Sequence, residues 1–190
     1  NNAGAICMTG QNTHCLSVDN TTFVGNSAAA DGGAIFTGDE ENTSITNCTF
    51  DSNTSGAQGG ALYIKSGAGA TRNKTVFYMS GTTISNNSGG DALYIYNAET
   101  SPESGAANGD EVTILNSTMC GNVGTYDYNI FQDNIGGLPP TYISFETTAF
   151  QGVNIIGNGA ATGHISLDYS MGTCSTIATI PVVNAGTCPA

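Results

Sequence analysis

Positive charge is nearly missing from this chain. Its 190 residues contain three Lys and Arg against fifteen Asp and Glu, a formal net charge of −12. The cations are Lys65, Arg72 and Lys74. So few cannot neutralise a run of phosphates, so nucleic acid is not an expected partner. An anionic membrane surface would repel the chain as well. Histidine is equally scarce, with only His14 and His164, and the six cysteines form no CxxC pair. A zinc site of ordinary spacing is therefore not expected, and no cofactor is implied. Trp is absent. No stretch shows a clean 3.6-residue period, so almost no helix is expected. No apolar run is long enough to cross a bilayer as a helix, so direct membrane insertion is not expected either.

What is present is Gly, Ser, Thr and Asn, interleaved with short apolar runs of strand-like spacing. These runs repeat. With Phe23, Phe50, Ile84, Met119 and Phe150 as anchors, the repeats are 27 to 35 residues apart. Five residues before each anchor stand Val18, Ile45, Met79, Ile114 and Phe145; seven before stand Leu16, Thr43, Phe77, Val112 and Ile143. Apolar residues two apart read as one face of a strand turned to a core. Asn20, Asn47, Gly81, Asn116 and Thr147 lie three before the anchors; Asn26, Asn53, Asn87, Asn122 and Val153 lie three after. Ile35, Leu62, Leu93 and Ile130 begin a second strand column, continued by Thr37, Ile64, Ile95 and Gln132.

One repeat is too short to bury its own apolar residues, but stacked repeats share a continuous core. The expected fold is all-β: a single-stranded right-handed parallel β-helix of about five to six coils with variable loops. An antiparallel sandwich also has short strands, but it gives no reason for Asn to return at a fixed offset from an apolar anchor. Asparagines in register can form side-chain ladders, and Asn tolerates the left-handed backbone of a sharp bend. The expected ladder residues are Asn20, Asn47, Asn116, Asn26, Asn53, Asn87 and Asn122. Loop insertions fall at 38–42, 66–74 and 97–111. Residues 1–156 are assigned to the coils, and 157–190, where the pattern fades, to an irregular last coil or cap.

Phe23-Val24-Gly25-Asn26 followed by Gly32-Gly33-Ala34-Ile35 resembles the FxxN and GGA(I/L/V) repeat of chlamydial polymorphic outer-membrane proteins. Phe50-Asp51-Ser52-Asn53 with Gly59-Gly60-Ala61-Leu62 is a second copy, and Ile84-Ser85-Asn86-Asn87 with Asp91-Ala92-Leu93 a weakened third. Gly4-Ala5-Ile6 is motif-like as well. The resemblance covers residues 4–135, and similar repeats occur in other secreted β-helices. It implies a surface-exposed passenger with an adhesive role and a glycan or host cell-surface ligand.

Site expectations follow from the columns. Cys7 with Cys15, and Cys174 with Cys188, would each close a short loop and suit disulfides at the solenoid ends, hence an oxidising, extracellular or cell-surface location. Cys48 and Cys120 read as buried free thiols. Sequons begin at Asn20, Asn42, Asn47, Asn53, Asn73, Asn86 and Asn116. Inward ladder asparagines are closed to a glycan, which leaves Asn42, Asn73 and Asn86 as N-glycosylation candidates. Phe36, Tyr63, Tyr94 and Phe131 fall one residue after the second strand column. They form an expected exposed aromatic stripe for assembly or glycan contact.

No catalytic residue is assigned. A glycosidase needs paired carboxylates at a set separation, and none stand within one strand. Gly163-His164 is followed by Ile165, not by the Gly of a pectin-hydrolase motif. The expected function is a non-catalytic structural or adhesive module that self-associates, end to end or laterally, in a filament or surface appendage. The competing class is a carbohydrate-binding or pectate-lyase-like carbohydrate-cleaving β-helix.

Overall fold

The computed structural model describes residues 1–9, 15–38, 42–66, 76–97, 110–126, 128–132, 145–151, 153–156, 165–168, 171–177 and 182–183. In chain order, β1 is Ile6–Thr9, β2 Cys15–Asp19, β3 Thr22–Val24, β4 Ser27–Ala28 and β5 Ile35–Gly38. The second coil holds β6 Asn42–Thr46, β7 Thr49–Asp51, β8 Thr54–Ser55 and β9 Leu62–Ser66. The third holds β10 Val76–Ser80, β11 Thr83–Ser85 and β12 Leu93–Asn97; the fourth holds β13 Asp110–Leu115, β14 Thr118–Cys120 and β15 Tyr128–Gln132. Then come β16 Phe145–Gln151, β17 Asn154–Ile156, β18 Ile165–Asp168, β19 Met171–Ile177 and β20 Val182–Val183.

Eighteen of these strands stack into three six-stranded parallel sheets, and β4 pairs with β8. Their orders are β1-β5-β9-β12-β15-β18, β2-β6-β10-β13-β16-β19 and β3-β7-β11-β14-β17-β20. Each strand pairs with its counterpart one coil away, so the chain is a parallel β-helix. We call these sheets A, B and C. The three sheets continue through β18, β19 and β20, beyond the point where the sequence pattern fades.

The core is the set of columns the alternation places inside. Sheet B contributes Leu16, Thr43, Phe77 and Val112, and beside them Val18, Ile45, Met79 and Ile114. Sheet C contributes Phe23, Phe50, Ile84, Met119 and Ile155. Sheet A contributes Ile35, Leu62 and Leu93, with Thr37, Ile64 and Ile95 two residues on. Phe23 and Phe50 stack at 4.8 Å with rings 4° apart, as the coil spacing demands of equivalent flat side chains. The hydroxyls of Thr37 and Thr43 are buried without a hydrogen-bond partner.

Two register assignments need correction. Phe150 is not the fifth anchor. It pairs with Ile114, and Ile155 pairs with Met119. A bulge near the start of β16 adds a residue to the coil, and Phe150 falls one strand early, in sheet B rather than in sheet C. Likewise Ile130 pairs with Ile95 rather than Leu93, whose partner is Tyr128. The pair Met119–Tyr128 thus keeps the same offset as Ile84–Leu93.

The bends explain the repeat motif. Asn20, Asn47, Gly81 and Asn116 share one corner and have φ of 48°, 52°, 59° and 47°. Only Gly, and Asn by local polar compensation, enters that region cheaply. At the corner before sheet A, Gly32 has φ of 68°. Its neighbour Gly33 is excluded from change by space: a Cβ there would collide with the carbonyl oxygen of Gly60. The Gly-Gly pair is therefore one left-handed turn residue followed by one point of coil-to-coil backbone contact.

Candidate functional site

The coil presents an interior of ladders and an exterior of small polar residues, and the candidate residues divide between them. Asn26, Asn53, Asn87 and Asn122 form a continuous amide ladder. Nδ2 of Asn26 donates to Oδ1 of Asn53 at 2.9 Å, Asn53 donates to Asn87 at 2.9 Å, and Asn87 donates to Asn122 at 3.0 Å. Each acceptor oxygen also receives the backbone N–H of the asparagine one coil back. The second amide hydrogen returns to a carbonyl of the preceding coil: Asn53 to Phe23, Asn87 to Phe50 and Asn122 to Ile84. Asn53, Asn87 and Asn122 are buried. Burial of so polar a group is tolerable only because its donors and acceptors are engaged.

Beside this ladder runs a second one that the sequence reading did not identify. Thr21, Cys48, Thr82 and Ser117 each follow the left-handed corner residue. The N–H of Cys48 donates to Oγ1 of Thr82 at 3.4 Å, and that of Thr82 to Oγ of Ser117 at 3.3 Å. Each side chain also donates to the carbonyl two residues back: Thr21 to Asp19, Cys48 to Thr46, Thr82 to Ser80 and Ser117 to Leu115. The signal was present as four small hydroxyl or thiol residues at one offset. Burial, as the largest influence, raises the Cys48 thiol above its ordinary pKa, which leaves it a protonated, unreactive ladder member.

Asn20, Asn47 and Asn116 do not belong to an inward ladder. All three are exposed. The left-handed φ at the corner turns their side chains outward and passes the inward direction to the following residue. Nδ2 of Asn47 donates to Oδ1 of Asp19 at 3.1 Å, and the Thr46 hydroxyl donates to the same oxygen at 2.6 Å. Asp51 repeats the arrangement at the next corner. Its Oδ1 accepts from Ser85 at 2.7 Å and from Asn86 at 2.8 Å, and its Oδ2 from Ser52 at 2.9 Å. These donors, Thr46 foremost for Asp19 and Ser85 foremost for Asp51, hold both carboxyls below the ordinary value of 3.8. The carboxylates clamp neighbouring coils together and are already engaged by protein donors. Among the described residues no group of three or more His, Cys, Asp or Glu could hold a metal ion.

The aromatic stripe exists but is not exposed. Phe36, Tyr63 and Tyr94 stack at 5.1 and 5.2 Å on the outer face of sheet A, and all three are buried, with Tyr96 packed against them. Phe131 lies in another column, paired with Tyr96, and Asn129 takes the place beside Tyr94. The rings build a second, satellite cluster outside the main core rather than a contact surface.

The cysteine expectations also change. Cys7 and Cys15 are free and exposed. Cys7 sits beside Phe36 on sheet A and Cys15 beside Asn42 on sheet B, so the two face outward from different sheets. Cys120 is disulfide-bonded rather than a free thiol; its bonding partner, the side chain of Cys174 and all of Cys188 lie outside the described residues. Cys48 is the buried free thiol expected.

Of the N-glycosylation candidates, Asn42 opens β6 rather than lying in a loop; it is exposed, and its Oδ1 accepts the N–H of Val76 at 2.9 Å. Asn86 is exposed at a left-handed corner, φ 54°. Asn73 lies outside the described residues. A mostly apolar depression of 350 Å³ on the outer side of sheet B is lined by Cys15, Ser17, Asn42, Ser44, Val76 and Tyr78 among others. It brings together no acid, base or nucleophile pair.

No helix among the described residues is long and apolar enough to cross a membrane. No curated protein and no solved structure matches the chain significantly. One family does: the Chlamydia polymorphic membrane protein repeat, at residues 20–38 and again at 47–65. Each match runs from the left-handed corner asparagine, Asn20 or Asn47, through the anchor phenylalanine, the ladder asparagine and the Gly-Gly turn into the strand of sheet A. The chain is a parallel β-helix whose first two full coils match this polymorphic membrane protein repeat.

Proposed function

We propose that the chain is a non-catalytic structural and adhesive module of an extracellular or cell surface, and that it self-associates. The observation that carries this reading is the double match to a repeat of chlamydial membrane proteins, on a solenoid whose chemistry-bearing side chains are spent on coil-to-coil bonds. Among the described residues, Asn, Thr, Ser and Asp hold one coil to the next. Such a body is a stiff spacer, about 25–30 Å long for six coils at the usual strand spacing. Self-association is the general tendency of a parallel solenoid wherever an end strand is left without a cap, because its unpaired backbone groups can accept another strand.

Light scattering across a hundredfold concentration range tests the association: multimers that grow with concentration are expected, and a monodisperse monomer throughout would refute it. Incubation with polyuronates tests the absence of catalysis: no reducing ends or unsaturated products are expected, and their release would overturn the non-catalytic assignment. Retention on cells or on a glycan array tests adhesion, and its absence would leave a purely structural role.

A further inference from the structure

We propose that the sequons at the first corner of the coil, at Asn20, Asn47 and Asn116, are acceptors for N-linked oligosaccharide, whereas the sequon at Asn53 is closed. The inference goes beyond the surface assignment and rests on it only for the native setting, since a sequon is used only in a secreted chain.

The geometry is the same at each position. The asparagine stands at a left-handed corner with its side chain in solvent. The middle residue of the sequon, Thr21, Cys48 or Ser117, turns inward into the small-residue ladder. The third, Thr22, Thr49 or Thr118, starts a strand of sheet C. The corner favours Asn for its backbone and the strand start carries Thr, so the fold presents an exposed acceptor at every coil where both occur. Glycosylation replaces one of the two Nδ2 hydrogens. Asn47 can keep its bond to Asp19 with the other.

Asn53-Thr54-Ser55 is a sequon of equal quality in sequence, but both hydrogens of its Nδ2 are committed, to Phe23 and to Asn87, and the residue is fully buried. A glycan there would break the amide ladder at its centre. The third coil supplies a gap in the acceptor column. Gly81-Thr82-Thr83 would be a sequon but for its first residue, and Gly81 holds the same left-handed φ, 59°. A Cβ on Gly81 would come too close only to the side-chain oxygen of Asn47, at 2.8 Å, which can rotate away; its next neighbours, Cγ and Cα of Asn47, lie at ordinary contact distance.

The test is secretion of the whole chain from a glycosylating eukaryotic cell line. Enzymatic deglycosylation in heavy-oxygen water and peptide mass spectrometry then mark each occupied asparagine. Expected is label at one or more of Asn20, Asn47 and Asn116 and none at Asn53 in the folded, secreted product. The Gly81→Asn variant is expected to gain one further glycan at that position. Label at Asn53, an empty first corner, or a Gly81→Asn chain that folds and gains nothing would overturn the proposal. Because the host supplies secretion and the transferase, such a failure would count against the acceptor geometry and leave the surface assignment standing. Circular dichroism of the variant separates a misfolded chain from an unused acceptor. If Gly81→Asn does not fold, the wild-type occupancy pattern alone decides.

Discussion

Within a few residues of each other, two corners of the coil use asparagine in opposite ways. At the first, Asn20, Asn47 and Asn116 are exposed and adopt positive φ; Gly81 replaces them in the third coil without disturbing the stack. At the second, Asn26, Asn53, Asn87 and Asn122 bond from coil to coil through side-chain amides, and the last three are buried. The first position selects for backbone conformation, which Gly also satisfies. The second selects for a side chain with two donors and a carbonyl at the correct reach, which no other residue supplies except at a cost. One residue type, recurring with one period, thus records two different constraints.

The sharpest way to break this comparison is to remove the amide from each corner in turn. Asn87→Ala strands the N–H and Nδ2 of Asn53, the carbonyl of Phe50 and part of Asn122 in the interior. An unsatisfied buried group costs about 1–3 kcal/mol, so a loss of about 3 kcal/mol or more is expected in urea unfolding. A loss below about 1 kcal/mol would mean the ladder is not a major stabilising element. At the other corner, Asn47→Ala places a residue with a Cβ and no compensating polar group at φ 52°. This should cost about 1–2 kcal/mol, while Asn47→Gly, which copies Gly81, should fall within about 0.5 kcal/mol of wild type. Equal losses for the two variants would show that Asn47 acts through its bond to Asp19, not through its backbone.

The smallest expected effect concerns the carboxylates that join the corners. Asp19 and Asp51 are held below the ordinary carboxyl value in the folded chain, so the unfolded chain binds protons first as pH falls. Their contribution is complete above the ordinary value of 3.8 and is lost as pH falls through the lowered folded values. Asp51→Asn should therefore flatten the acid limb of the stability profile and change little near neutrality beyond the loss of the charge-assisted bonds. An acid limb unchanged by this substitution would assign acid sensitivity to other groups.

Much of the fold was legible because parallel stacking forces equivalent residues into register, and register leaves columns in the sequence. The columns of Phe23, Phe50 and Ile84, and the amide ladder beside them, were readable for that reason. The faces at the corners were not. A period of two reports which residues share a side only while the strand continues. A left-handed residue resets the alternation, so Asn20, Asn47 and Asn116, inward by their ladder-like recurrence, point out, and the Thr21, Cys48, Thr82 and Ser117 column turns in. Phe150 and Phe131 mislead because apolar residues also fall near the column positions: Phe150 takes the place of Ile114's partner, and Phe131 stands two residues past Asn129, the partner of Tyr94. The burial of Tyr63 and Tyr94 was invisible for a different reason: alternation tells which way a ring points from its sheet, and not whether anything lies over it.

The amide ladder also gives the rod an electrical direction. From Asn26 through Asn122 every link has the same sense, with nitrogen donating toward the later coil and oxygen accepting from the earlier one. The side-chain dipoles therefore add along the axis, and each polarises the next. Turned end for end, the molecule is not the same object. Two copies stacked head to tail would extend one aligned series, while two copies meeting head to head would set the series against each other.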